Sequence, residues 1–163
     1  MSKILFEDNL AYPLEKEILK FKGKEPFRIY ENIKDILKTS LEITGVPIIE
    51  RKISWDATGV DKSFLVIWTA RRGIDTWTRI DVTIKVKGKQ NSNTREGHVD
   101  ISIKPFFRTE VEIGFLARIF WWIYYFIFYK KKRYNDFYMA KNLINKLKRE
   151  IGNLYGIKVE ESI

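Results

Sequence analysis

Residues 114–134 read GFLARIFWWIYYFIFYKKKRY, and the fold of the whole chain turns on how this stretch is placed. From Ile119 to Tyr129 every residue is apolar or aromatic, and Lys130, Lys131, Lys132 and Arg133 follow without a break. The run is too short to span a bilayer, which takes about 20 apolar residues. Extending it back to Val111 would put Glu112 and Arg118 into hydrocarbon, at about 3 kcal/mol each. A transmembrane helix is therefore rejected.

The run leads into a periodic pattern. Phe137, Ala140, Ile144, Leu147, Ile151 and Leu154 recur at spacings of three and four, which is one face of an amphipathic helix. Carried backwards, the same spacing passes through Arg133 and Lys130 to Phe126, Ile123, Ile119 and Leu116. One helix, or two nearly coaxial ones, is expected over residues 114–155, about 60 Å long at 1.5 Å per residue. A ten-residue strand reaches only about 33 Å. Part of the helix should overhang the sheet or bend, and residues 130–134 are the expected place, because two cations interrupt the stripe there.

Between 119 and 129 the whole circumference is apolar, so the helix needs cover on most sides. A sheet wrapped around the segment would make it ordinary core. Otherwise its rings face a membrane, a partner or an apolar ligand, a role suited to residues with an apolar body and a polar tip. On this second reading the contact residues are Trp121, Trp122, Tyr125 and Phe128. Lys130, Lys131, Lys132 and Arg133 would bind anions.

The chain has 163 residues, 45% of them hydrophobic, and a single domain is expected. It has no cysteine, which excludes disulfides and thiolate chemistry. No signal-peptide pattern opens it, so a cytoplasmic location, with peripheral attachment to a membrane, is expected. Abundant Lys, Ile and Glu resemble a thermophile's composition. The formal charge is +9. Residues 114–155 hold nine bases against two acids, a net +7, so most of the excess lies on one helix. Such a concentration favours anionic partners.

Residues 1–12 are weakly patterned and are read as a loose arm, and residues 157–163 as a frayed tail. Residues 14–22 suggest a short strand. Pro26 suits a first helical turn. Phe27, Tyr30, Ile33, Leu37 and Leu41 then mark a helix, with Gly45 as its C-terminal cap. Alternation predicts strands over 48–55, 64–71, 77–87 and 97–104. In the first of these Ile49, Ile53 and Trp55 share a face. Residues 88–97 form a polar hairpin tip. Pro105 bends or ends the last strand, and 107–113 continue it.

The fold class is thus α+β: a curved antiparallel sheet of four to six strands, packed against an N-terminal helix and a long C-terminal helix. The order of elements resembles the helix-grip arrangement, in which a sheet curls around a long C-terminal helix. Many proteins of that kind hold apolar ligands between sheet and helix. The resemblance is one of topology and is carried by no residue motif.

No catalytic site emerges. His98, the sole histidine, could share a polar sheet face with Asp100, Asp81 and Arg79, but charged residues belong on such a face in any case. One histidine with scattered carboxylates predicts no metal site and no cofactor. Isolated glycines form no phosphate-cradling loop. The expected function is non-enzymatic binding of an anionic membrane surface or lipid through the aromatic-basic helix. The alternatives are an apolar-ligand pocket lined by Ile80, Val82, Ile101, Ile123 and Phe126, binding of RNA or the ribosome through residues 130–149, and a homodimer through exposed rings.

Overall fold

The computed structural model describes residues 2–44 and 47–161. Strands β1 (Ser2–Asn9) and β2 (Glu17–Lys24) lead through a 3₁₀ turn at Pro26–Arg28 into helix α1 (Ile29–Leu41). Strands β3 (Ile48–Asp56), β4 (Asp61–Gly73), β5 (Thr78–Asn91) and β6 (Glu96–Ile113) follow. The chain closes with α2 (Phe115–Tyr124), a π turn (Tyr125–Tyr129) and α3 (Lys130–Tyr155). This is the expected α+β class, a curved antiparallel sheet of six strands with a short and a long helix.

The strand order is β1-β6-β5-β4-β3, with β2 also paired to β6. Strand β6 organises the sheet. Its 18 residues pair along one edge with β5, and along the other first with β2 and then with β1. Pro105 does not end it. The missing N–H falls where the partner changes from β2 to β1, and the Pro105 carbonyl accepts the Leu10 amide at 3.1 Å. Residues 2–9 are therefore no loose arm but an edge strand, held to β6 from Ser2↔Ile113 to Asn9↔Phe106.

The inward faces are those that the alternation gives. Ile80, Val82, Ile84 and Val86 of β5 are buried, as are Val99, Ile101 and Ile103 of β6 and Phe64, Val66, Trp68 and Ala70 of β4. Helices α1 and α3 cover this face with Ile29, Ile33, Leu37, Ala140, Ile144, Leu147 and Ile151. In β3 a bulge between Glu50 and Lys52 corrects the expected face: Ile49 opposes Thr69, whereas Ile53 and Trp55 oppose the buried Val66 and Phe64. The extra residue reverses which side faces inward.

Helix α1 ends at Leu41, with Glu42 in the left-handed region. The cap expected at Gly45 lies outside the described residues. The tail after Gly156 turns back on α3. The Ile157 amide donates to the Gly152 carbonyl at 2.9 Å, and Ile157 packs on the main core.

Candidate functional site

The helical region 115–155 is 41 residues long. Its C-terminal half lies on the main core, and its N-terminal part extends past it to a second, smaller apolar cluster. There Trp121 packs with Ile4 and Val111, bordered by Phe6, Trp77, Trp122 and Tyr125. Phe6 stacks on Tyr125 at 5.1 Å and on Trp121 at 6.0 Å. One edge strand, one end of β6 and the start of β5 at Thr78 thus supply the sheet that the aromatic segment touches.

The interruption falls at Tyr125–Tyr129, five residues before the place that the charges suggest. The Lys130 amide donates to the Tyr125 carbonyl, an i→i−5 bond. This wider turn changes the helical phase. In an α-helix a row spaced by four drifts by about 40° per step. The π turn offsets part of that drift, so Trp121, Tyr125, Tyr129, Arg133 and Phe137 all stay turned towards the protein. The backward-extended stripe is out of phase: Leu116, Ile119, Ile123 and Phe126 face outward.

The outward face is broad. Phe115 is 82% exposed, Phe120 74%, Phe126 63% and Phe128 64%. At about 200 Å² per ring these four alone present about 550 Å². That is near the upper limit for the largest patch of a typical monomer, about 600 Å². Leu116, Ile119, Ile123 and Ile127, all more than half exposed, extend it further. Among the described residues no helix is long and apolar enough to cross a membrane.

The expected contact residues therefore divide. Phe128 is exposed as the membrane reading needs. Trp122 and Tyr125 are half-buried, with Trp122 stacked on Phe126 at 5.7 Å. Trp121, at 6% exposure, is not a contact residue but the anchor of the second cluster. Leu116, Ile119 and Ile123, which the fixed spacing puts on the inward stripe, belong instead to the outward face with Phe115 and Phe120, and only the π turn reveals that phase.

The four cations divide in the same way. Arg133 is inward. Its Nη2 donates to Asp8 at 2.5 Å and its Nε to Thr109 at 2.8 Å, and its guanidinium lies over Phe6 and Phe107. It bolts the small cluster to the main core. Lys132 donates to Asp75 and Asp136, both at 2.6 Å. Lys130 and Lys131 are exposed and, among the described residues, have no ion-pair partner. Arg118 is exposed in the first turn of α2, among the first residues of the apolar face.

A buried polar network fixes the junction. Tyr129 hydrogen-bonds Thr78, which bonds Thr109 at 2.8 Å, and Tyr129 Oη also donates to Asp75 at 3.0 Å. Burial pushes the Tyr129 hydroxyl up to about 12, aided by the Asp75 charge. Burial works against the Asp75 carboxylate, but Lys132, the Trp77 and Thr78 amides and Tyr129 outweigh it and hold the group below its ordinary value. Lys132 is raised: its partial burial opposes the charge, and Asp136 and Asp75 outweigh that.

Beside the helix lies a groove of about 530 Å³. Tyr125, Phe126, Tyr134 and Phe137 line it, together with Lys130 and Lys131. The Arg133–Asp8 pair also borders it. The pocket expected between sheet and helix does not assemble from the residues named for it. Ile80, Val82 and Ile101 are enclosed in the main core, while Ile123 and Phe126 are exposed.

The polar sheet face does not bring His98 to Asp81. His98 sits opposite Lys89, eight residues along β5 from Asp81, or about 26 Å. Asp81 instead accepts from Arg71 at 2.8 Å, Arg79 at 3.1 Å and Arg108 at 3.2 Å. Its burial disfavours the charge, yet Arg71 and Arg79 hold its pKa below the ordinary value.

Fold and site together define an α+β protein with an overhanging, outward-facing apolar helix. No protein-family model matches the chain, and no curated protein sequence is significantly similar to it. Among solved structures it is similar to a protein of unknown function, SA2116 from Staphylococcus aureus, at 13% identity. That match covers 87% of this chain and 96% of the other with a TM-score of 0.27, too low to carry an argument.

Proposed function

We propose that this protein is a non-enzymatic, peripheral binder of anionic membrane surfaces, with the outward face of α2 and the π turn as the element that enters the interface. The observation that carries this reading is the exposure of Phe115, Leu116, Ile119, Phe120, Ile123, Ile127 and Phe128 beside two lysines that have no ion-pair partner among the described residues. A helix with an apolar face outward and cations at its ends matches the interfacial pattern, with rings at headgroup depth and bases at the phosphates. Lys130, Lys131 and Arg118 contribute about 1 kcal/mol each near an anionic leaflet. Each exposed Ile, Leu or Phe contributes about 1–2 kcal/mol when its remaining surface leaves water. Five of them with three cations suffice for reversible attachment without a spanning segment.

Charge placement favours a membrane over a second copy of the chain. Antiparallel pairing of the helix about Tyr124 would set Arg118 against Lys130 of the copy, and parallel pairing would set Lys130 against Lys130. Residues 114–135 contain no acid to compensate. It also weighs against a nucleic-acid backbone tracked along residues 130–149. Lys132, Arg133, Lys146, Lys148 and Arg149 are engaged by Asp75, Asp8, Glu42, Glu17 and Glu161.

Co-sedimentation with vesicles tests the reading. Binding to phosphatidylglycerol vesicles, weaker binding to phosphatidylcholine and partial release by salt are expected. Negligible binding to both would end it.

A further inference from the structure

The groove beside the π turn differs from the rest of the outward face. A helix lying on a membrane needs no concavity, yet here about 530 Å³ is formed where the apolar surface meets the cations. That is within the range of small-molecule sites, about 300–1,000 Å³. Its composition is divided: Phe126 and the rings of Tyr125, Tyr134 and Phe137 make apolar walls, and Lys130 and Lys131 bring two charges that no acid among the described residues pairs with. The one acid bordering it, Asp8, is bound by Arg133 at 2.5 Å, so the groove remains net positive. The apolar side continues directly into the membrane-facing surface, since Phe126 stacks on Trp122 at 5.7 Å.

Resting on the membrane reading above, we propose that this groove is a site for one anionic phospholipid of the leaflet. Its phosphate is held by Lys130 and Lys131, and the start of its acyl chains lies along Phe126 towards Trp122. The occupant is fixed by two complementarities at once. A free phosphate would leave the aromatic walls unused, and a zwitterionic lipid would bring a quaternary ammonium that cancels its phosphate charge and is repelled by Lys130 and Lys131. The consequence is selectivity: attachment depends on a single bound lipid as well as on general surface charge.

The test is a titration of the whole chain with dihexanoyl phosphatidylglycerol below its critical micelle concentration, followed by backbone amide NMR shifts. Saturation at one lipid per protein is expected, with the largest shifts in residues 125–137. Lys130→Gln and Lys131→Gln should each weaken binding about fivefold. Phe126→Ala should weaken it at least as much, and with its ring already exposed this variant should keep the fold, checked by its unfolding midpoint. Dihexanoyl phosphatidylcholine should not saturate the site. Equal binding of the two lipids, or shifts that rise without saturating, would overturn the groove proposal. If the protein still sedimented with phosphatidylglycerol vesicles, the membrane reading would survive that failure. Saturable short-chain binding without any vesicle binding would support the groove and overturn the membrane reading instead.

Discussion

The hydroxyl of Tyr129 donates to the carboxylate of Asp75 at 3.0 Å, and this contact ties the long helix to the β4–β5 turn at the point where the main core ends. On one side of it α3 lies on the sheet. On the other, α2 rests on β1 and one end of β6 through Trp121 and turns its remaining apolar surface outward. The same hydroxyl reaches Thr78, so a single side chain joins a buried network to the base of the overhang.

Replacing Tyr129 by Phe should therefore cost more than one average hydrogen bond. Thr78 keeps Thr109 as a partner, but Asp75 loses a donor. A loss of about 1–3 kcal/mol in urea unfolding is expected. Amide exchange in residues 115–129 should rise before that in 140–155, because the overhang has the smaller core.

The junction should also be sensitive to alkali. The folded protein holds the Tyr129 proton to about 12, above the ordinary tyrosine value of 10.0, and Lys132 is raised as well. In both cases the folded state keeps its proton longer than the unfolded chain. The stabilisation is complete below pH about 10 and is lost as pH rises towards about 12. Urea midpoints at pH 9 and 11 measure this, and Tyr129→Phe should flatten the decline.

Acid should act through the carboxylates. Asp75 and Asp81 are held below their ordinary value in the fold. Their contribution is present above the unfolded carboxylate pKa, about 3.9, and is lost as pH falls through the lower folded values. Asp81→Asn should remove part of that acid dependence, read from urea midpoints between pH 5 and 2.

Lys148 is buried within α3 and pairs with Glu17 of β2 at 3.1 Å. Removing Glu17 takes a carboxylate away from a buried ammonium, so Glu17→Ala should destabilise by about 3–5 kcal/mol in urea unfolding. The double variant Glu17→Leu, Lys148→Met should recover much of that loss in the same assay.

Strands β4, β5 and most of β6 were legible in the sequence because one face of each is buried and a period of two records it directly. Strand β1 was not. Its pairing to β6 joins residues about a hundred positions apart, and its own alternation is broken by Leu5, which is exposed, and by Asp8, which serves Arg133. The bulge in β3 and the π turn at 125–129 each add a residue to a repeat, and a fixed spacing carried across them lands on the wrong face. That is why Leu116, Ile119, Ile123 and Phe126 read as an inward stripe and are exposed. The pairing of Lys132 and Arg133 was equally hidden, since Asp75 and Asp8 are 57 and 125 residues away.

The most direct test of the account reverses the character of the overhang without touching its supports. Phe120 and Ile123 are exposed and belong to neither apolar cluster. In the variant Phe120→Glu, Ile123→Glu the urea midpoint should stay within error of the original, and affinity for phosphatidylglycerol vesicles should fall more than tenfold. Undiminished vesicle binding by this correctly folded variant would contradict the claim that this helix face meets the membrane.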